Sequence, residues 1–311
     1  MVRTCCIVFT ACLIVAPLSG QEPQDPVTGR WDLTFKTGDG HTFPSWLEIR
    51  ISGNSTHVGQ LVGRVGSARP ISQIDYANDT IRFSVPLQWE QGDRPLSFEA
   101  VRTDSTLSGW MVDGSGARLP FTAVRAPALQ RAGTPQWAAP VKLFDGSDLA
   151  SWQPQGNGEN SWKAIGGVLT NTKAGANIAT RANYGDFKLH VEFRYPADGN
   201  SGIYLRGRYE VQVEDSYGQE TSSHRLGGVY GFLIPNENAA KPAGQWQSYD
   251  ITLIGRRVTI VLNGHQVICD QPIPGITGGA LDSNEGSPGP ILLQGDHGPV
   301  EYRNVVLTPA R

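Results

Sequence analysis

Cysteine is scarce in this chain of 311 residues, which has four, and three of them, Cys5, Cys6 and Cys12, crowd into its opening segment. That segment, MVRTCCIVFTACLIVAPLSG over residues 1–20, carries a positive charge at Arg3, an apolar run of 12 residues from Cys5 to Ala16, and the small Gly20 at a cleavage point. It has the form of a secretory signal peptide, and its apolar run is too short to span a bilayer comfortably. No cysteine follows the run closely, which argues against a lipid anchor. With the leader removed, Cys269 is the one cysteine left, so no intrachain disulfide can form even in an oxidising compartment. The expected location is secreted, in the periplasm of a cell with two membranes, with no membrane insertion after leader removal. Cys269 lies in HQVICD, whose alternation predicts a small core residue and not a nucleophile.

Other absences narrow the function. The formal net charge is only −3 and no Lys/Arg stripe is present, which excludes nucleic acid as the expected partner. No G-x-S-x-G, H-E-x-x-H or dinucleotide fingerprint occurs. Amphipathic helical spacing is hard to find. What the chain does have is 37 glycines, 21 prolines and many short alternating runs broken by Gly, Asn, Asp and Pro, the pattern of an all-β protein.

The runs fall into two sets. Between Arg30 and Arg125 there are about eight, among them RWDLTF, SWLEIRI, TIRFSVP and LPFTAVR, joined by turns such as KTGDG and ANDT. Hairpins of this length predict a small antiparallel β-barrel or meander over residues 21–125. Residues 126–140, APALQRAGTPQWAAP, have linker composition. Longer strands follow over residues 141–311, including FKLHVEFRY, SGIYLRG, YEVQVED, SYDITLIG, RVTIVLNG and VEYRNVVLTP. In LNG, Asn263 and Gly264 suit a type I′ turn. Long antiparallel strands with so few helices predict a two-sheet jelly roll, one face of which can hold an extended ligand.

One strand is unusual. YEVQVEDSYG alternates, but one face carries Glu210, Gln212 and Glu214, with Asp215 beyond. A polar row of this kind is either a solvated face or the floor of a cleft.

The second set of strands resembles the 3-keto-disaccharide hydrolase domain family over roughly residues 141–308. The likeness rests on LFDGSDLASW, YGDFKLHVEFRYPADGNSGIYLRG, YEVQVEDSYG, GGVYGF, KPAGQWQSYDI, RVTIVLNG and LLQGDHGPVEYRNVVL. Two departures stand out. Gln245, Trp246 and Gln247 occupy a place where the family commonly has Glu-Trp-Asn, and Gly295 adds one residue before Asp296-His297-Gly298.

The resemblance implies a concanavalin-like jelly-roll sandwich, related in fold to laminarinase-type glycoside hydrolases. It also implies cleavage of 3-keto-glycosides by C2 proton abstraction, elimination and hydration. Such a site needs a base near C2, a group that stabilises the developing oxyanion and an acid for the departing oxygen. On this reading Glu210 is the base, Arg206 holds a sugar oxygen or the enolate, His297 transfers a proton and Asp215 orients His297. Gln212 and Gln294 bond hydroxyls, while Tyr230 and Trp246 stack on an apolar sugar face. A divalent metal ion held by Glu210, Asp215 and His297 is the cofactor these side chains suggest, although their spacing matches no recognised ligand motif.

Two rival readings use the same residues. In a retaining β-glycoside hydrolase, Glu210 and Asp215 would be the paired carboxylates, with Gln212 where laminarinase-type enzymes have a third acid. In a noncatalytic carbohydrate-binding protein the same groove would hold a glycan without turnover. The sequence carries no signal for oligomeric state.

Overall fold

The computed structural model describes residues 25–131 and 133–311, so the leader expected at residues 1–20 lies outside the described residues. These contain strands and turns and no helix. The first eight strands are β1 (Gly29–Lys36), β2 (Thr42–Ser52), β3 (Thr56–Val62), β4 (Arg69–Ala77), β5 (Thr80–Val85), β6 (Leu96–Thr103), β7 (Thr106–Val112) and β8 (Arg118–Arg125). Each pairs antiparallel with the next, and β8 returns to β1 to close an up-and-down barrel. Period-two alternation turns Ile81, Phe83 and Val85 of β5 and Leu96, Phe98 and Ala100 of β6 inward. Phe83 and Phe98 stack at 4.6 Å inside. Asn78 and Asp79 between β4 and β5 both take positive φ, as the primed hairpin turns require.

The later strands form a jelly roll of two sheets. One sheet has five strands in the order Trp152–Gln155, Asn177–Thr180, Leu292–Leu293, Asn200–Leu205, Tyr209–Glu214. The other has eight, centred on Val300–Pro309, Phe187–Arg194 and Gln247–Ile254. Phe187, Leu189, Val191 and Phe193 of the larger sheet and Tyr209, Val211 and Val213 of the smaller one meet in a common core. The Asn263–Gly264 turn takes positive φ at both residues and joins Arg257–Leu262 to His265–Pro272.

That last strand lies at the edge of its sheet, and its register slips twice against its neighbour. The slips put Val267 and Ile268 both inside, which turns Cys269 out to solvent. Cys269 is therefore a surface residue and not the core residue that simple alternation predicts.

No strand of the barrel enters either sheet, yet the two are firmly joined. Trp46 of β2 packs edge-on against the partly buried Phe232 and is itself part of the sandwich core. Arg30 donates to Pro274 O at 3.0 Å, and Gly279 N donates to Arg64 O at 2.9 Å. Between them sits a buried polar knot. Glu285, fully buried, accepts from Tyr209 at 2.9 Å and pairs with Arg256 at 3.2 Å. Asp32 of β1 is buried beside it, and burial followed by the Glu285 charge pushes its carboxyl well up from the usual range. Asp32 Oδ1 and Glu285 Oε1 are both buried without another partner, and a proton shared between the two carboxyls would satisfy both.

Removing one member of such a knot leaves the rest buried and unpaired. Glu285→Ala should cost about 3–5 kcal/mol in denaturant unfolding, because the buried Arg256 then loses its ion-pair partner. A loss below about 1 kcal/mol would mean that the knot is solvated and does not hold barrel to sandwich.

Candidate active site

Strands Asn200–Leu205 and Tyr209–Glu214 form a hairpin whose register runs without a break from Asn200↔Glu214 to Leu205↔Tyr209. Their odd-numbered residues from Ile203 and Val211 fill the sandwich core, so Tyr204, Glu210 and Gln212 occupy the opposite face. That face is not solvated. The Val229 segment bridges Val211, and the segment from Thr277 to Gly279 covers the far side, leaving Glu210 and Gln212 each 4% exposed.

A cavity of about 510 Å³ opens over this face. Glu210, Gln212, Tyr204 and Asn200 from the hairpin line it, with Tyr230, Asn177, Gln294, Asp296 and His297 around them. The polar row of the strand is thus the floor of a cleft.

Glu210 lies in this cavity because Gly202 on the neighbouring strand has no side chain. A Cβ there would come within 2.3 Å of the Glu210 carboxylate. Burial pushes the Glu210 carboxyl up to about 8, a rise that the Asp296 charge reinforces. A hydrogen bond from Tyr204 and the positive charge of His297 oppose it. The Tyr204 hydroxyl stands 3.0 Å from Glu210 Oε2 and 3.0 Å from Gly278 O, with one proton for two acceptors. It donates to Glu210 when that group is ionised. When Glu210 is protonated, Tyr204 can turn to Gly278 and accept the Glu210 proton instead. One hydroxyl thereby stays matched to both charge states of the carboxyl.

His297 and Asp296 are half-exposed neighbours in the loop after Leu292–Leu293, and His297 Nδ1 lies 2.6 Å from Asp296 Oδ1. That hydrogen bond raises the imidazole above its ordinary value, with Asp296 and Glu210 adding charge attraction against a desolvation cost. The extra Gly295 does not carry His297 away from the cavity. Gln294 Oε1 is buried with no protein partner, an acceptor left open in the cavity wall. Gln212 is held by His224 O at 3.3 Å, and the Tyr230 ring meets His224 edge-on at 4.9 Å.

Three expected site residues stand elsewhere. Arg206 is not on a strand. It sits in the hairpin turn with φ +54°, which swings its side chain away to Gly185 O and Asp186, each at 2.8 Å. It forms a buried structural ion pair with Asp186 and does not line the cavity.

Asp215 lies five residues beyond Glu210, an odd interval, and no bulge intervenes to bring it back to the Glu210 face. Past the strand end its carboxylate accepts from Asp198 N at 3.1 Å. The Glu210–Asp215 pair and the Glu210, Asp215 and His297 ligand set are therefore not assembled, and no cluster of three His, Cys, Asp or Glu side chains suited to a metal occurs among the described residues. Glu214 does share the Glu210 face, but Arg225 neutralises it.

Trp246 is held between the guanidiniums of Arg303, at 4.0 Å, and Arg194, at 4.8 Å, on the outer side of the larger sheet. It is a cation–π clamp and is not available as a sugar platform.

Sequence reading missed Tyr204, Asp296, Asn200 and Asn177. Tyr204 was within reach, since hairpin pairing sets it directly opposite Glu210. The wall supplied by Val65, Gly66 and Trp89 of the barrel has no local sequence signal at all.

Residues 139–308 match a family described as a 3-keto-alpha-glucoside-1,2-lyase-like domain. Among solved structures, the chain is similar to a candidate glycosyl hydrolase from Parabacteroides distasonis. The identity is 32% over 54% of this chain and 82% of that one, with a TM-score of 0.48. It is also similar to a β-glucanase from Bacillus licheniformis, at 13% identity over 58% of this chain and 100% of that one, TM-score 0.35. A carbohydrate-binding module from Bacillus subtilis matches at 16% identity over 50% of this chain and 93% of that one, TM-score 0.34. No curated protein matches the chain.

Proposed function

The chain belongs to the 3-keto-alpha-glucoside-1,2-lyase-like family through residues 139–308, and from that premise we propose that it cleaves the glycosidic bond of 3-keto-glycosides by elimination followed by hydration. The observation that carries the reading is Glu210, a buried carboxyl of raised basicity, in one cavity with the imidazolium-favouring pair His297–Asp296. Binding a glycan needs neither group titrated in this way. Proton transfer from carbon needs a strong base shielded from water.

A ketone at C3 acidifies the proton on C2. Glu210 takes that proton, and the C–H electron pair becomes an enolate spread onto the C3 oxygen. Tyr230 and the side-chain amides of Asn200 and Gln294 are the neutral donors around it. Collapse of the enolate restores the ketone, makes a C1–C2 double bond and expels the glycosidic oxygen, which leaves with a proton from His297. Water then gives one proton to the now neutral His297 as its oxygen adds to C1, and Glu210 returns a proton to C2. The sum is hydrolysis, and no nucleophile on the protein is used. Export to the periplasm would place this step among extracytoplasmic sugars.

The pH profile tests the assignment. With its carboxyl near 8, only about a tenth of Glu210 is ionised at pH 7 and about half at pH 8, so the base alone raises kcat/KM about tenfold from pH 6 to 7 and about fivefold from pH 7 to 8. Because the acid His297 must keep its proton while Glu210 loses its own, the full profile should be bell-shaped. His297→Asn should lower kcat by about 10²-fold and remove the alkaline fall while keeping the acid limb. A profile flat between pH 6 and 8 would contradict the role given to Glu210.

A further inference from the structure

The cavity over Glu210 is not closed by the family domain alone. Two barrel loops reach it: the loop between β3 and β4 brings Val65 and Gly66, and the loop between β5 and β6 brings Trp89. Both precede the matched residues 139–308, so this wall is an addition carried by the barrel.

Trp89 is 66% exposed, the most open large apolar side chain among the described residues, and Val65 beside the same cavity is 44% exposed. An indole left this open contributes little to folding. Its loop is nonetheless held firmly. Glu90 accepts from Gln88 N at 2.9 Å and Trp89 N at 3.2 Å, and pairs with the two terminal nitrogens of the buried Arg69 at 2.8 and 3.1 Å. Gln88 reaches back to Ser67 N at 3.1 Å and Ser67 Oγ at 2.8 Å, tying one barrel loop to the other.

Gly66, with φ +84°, lets the indole lie against its backbone. A Cβ there would come within 2.8 Å of the ring. The pair of loops is fastened to the catalytic side as well. Arg64 O accepts from Gly279 N, and Gly278, whose carbonyl faces the Tyr204 hydroxyl, packs directly on Gly66.

An exposed, immobilised aromatic opposite a floor of carboxyl and amide groups is the arrangement that recognises a pyranose, whose ring has an apolar C–H face and polar edges. The floor takes the ring that reacts. The cavity, about 510 Å³, falls within the roughly 300–1,000 Å³ of small-molecule sites. We propose that the barrel, which lies outside the family domain, completes the substrate cleft, with Trp89 as the platform that holds the second ring of the glycoside. This inference rests on the proposed cleavage of 3-keto-glycosides and narrows it. Trp89 acts by binding and takes no part in the chemistry.

The test compares Trp89→Ala and Trp89→Phe with the unaltered full-length chain on two substrates, a 3-keto-disaccharide and methyl 3-keto-glucoside. Trp89→Ala should raise KM for the disaccharide about tenfold, change kcat/KM for the one-ring substrate less than twofold, and leave the unfolding midpoint unmoved. Trp89→Phe should recover most of the loss. Equal effects on both substrates, or none on either, would overturn the proposal.

Calorimetric binding of the unoxidised disaccharide and of glucose separates this from the catalytic reading. If neither keto substrate is cleaved but Trp89→Ala still weakens disaccharide binding alone, the chemistry is wrong and the platform stands. Cleavage of both substrates together with unchanged disaccharide binding in Trp89→Ala removes the platform and leaves the chemistry. No binding of either sugar by the unaltered chain would also overturn it.

Discussion

Glu210→Gln is expected to lower turnover of a 3-keto-glycoside by about 10²–10⁴-fold, the usual contribution of a positioned general base, while making the protein more stable at pH 8. The amide has the shape of the carboxyl, fits over Gly202 and still accepts from Tyr204. What it lacks is a site for the C2 proton. KM should change little, since the remaining cavity is intact. A loss far beyond 10⁴-fold would mean that Glu210 also holds the substrate.

The stability gain follows from linkage. In the folded chain the carboxyl sits near 8, against 4.5 for the free group. The folded state therefore holds this proton more tightly than the unfolded state. The stability that this proton confers is complete below about pH 4.5 and is lost as pH rises to about 8. Glutamine is neutral throughout and does not follow that decline. The difference between the two proteins should be about 1 kcal/mol at pH 5 and about 4 kcal/mol at pH 8. A parallel pH dependence in both would show that Glu210 is ionised and well solvated. Such a residue would be a poor base for a carbon acid.

The unaltered chain is expected to cleave a 3-keto-glucoside at least about 10³-fold faster than the parent glucoside, a difference of about 4 kcal/mol in activation free energy. Without the ketone, the C2 proton is not acidified and the enolate route is closed. The alternative route needs a nucleophile across the sugar from an acid, with carboxyl groups about 5–5.5 Å apart. The pair expected for that role is broken, because the Asp215 carboxylate is engaged by Asp198 N and does not line the cavity. Comparable rates on both sugars would restore the retaining-hydrolase reading.

Much of this architecture was legible in the chain because it rests on local rules. The barrel follows from alternating runs of hairpin length, and the LNG turn from the φ preferences of Asn263 and Gly264. Period two alone puts Glu210 and Gln212 on one face, and the resemblance marks that face as a cleft floor. The same rule places Asp215 on the other face, but the carboxylate spacing borrowed from laminarinase-type enzymes obscured it.

The remaining errors have separate physical causes. Arg206 left its expected face through a positive φ in a turn, and Cys269 through register slips in an edge strand. Trp246 is barred from a platform role by the guanidiniums of Arg194 and Arg303 on its ring. Trp89 and Glu285 belong to the joining of barrel and sandwich, a contact between segments far apart in the chain that no local pattern announces.

The central claim is that the bond breaks through loss of the C2 proton. The direct measurement is cleavage of a 3-keto-glucoside carrying deuterium at C2, with the label in the product followed against an enzyme-free control. This account predicts a slowed reaction and a released 3-keto sugar that has exchanged its label with solvent, with both effects absent in Glu210→Gln. Full cleavage at an unchanged rate, with deuterium retained at C2, would contradict it.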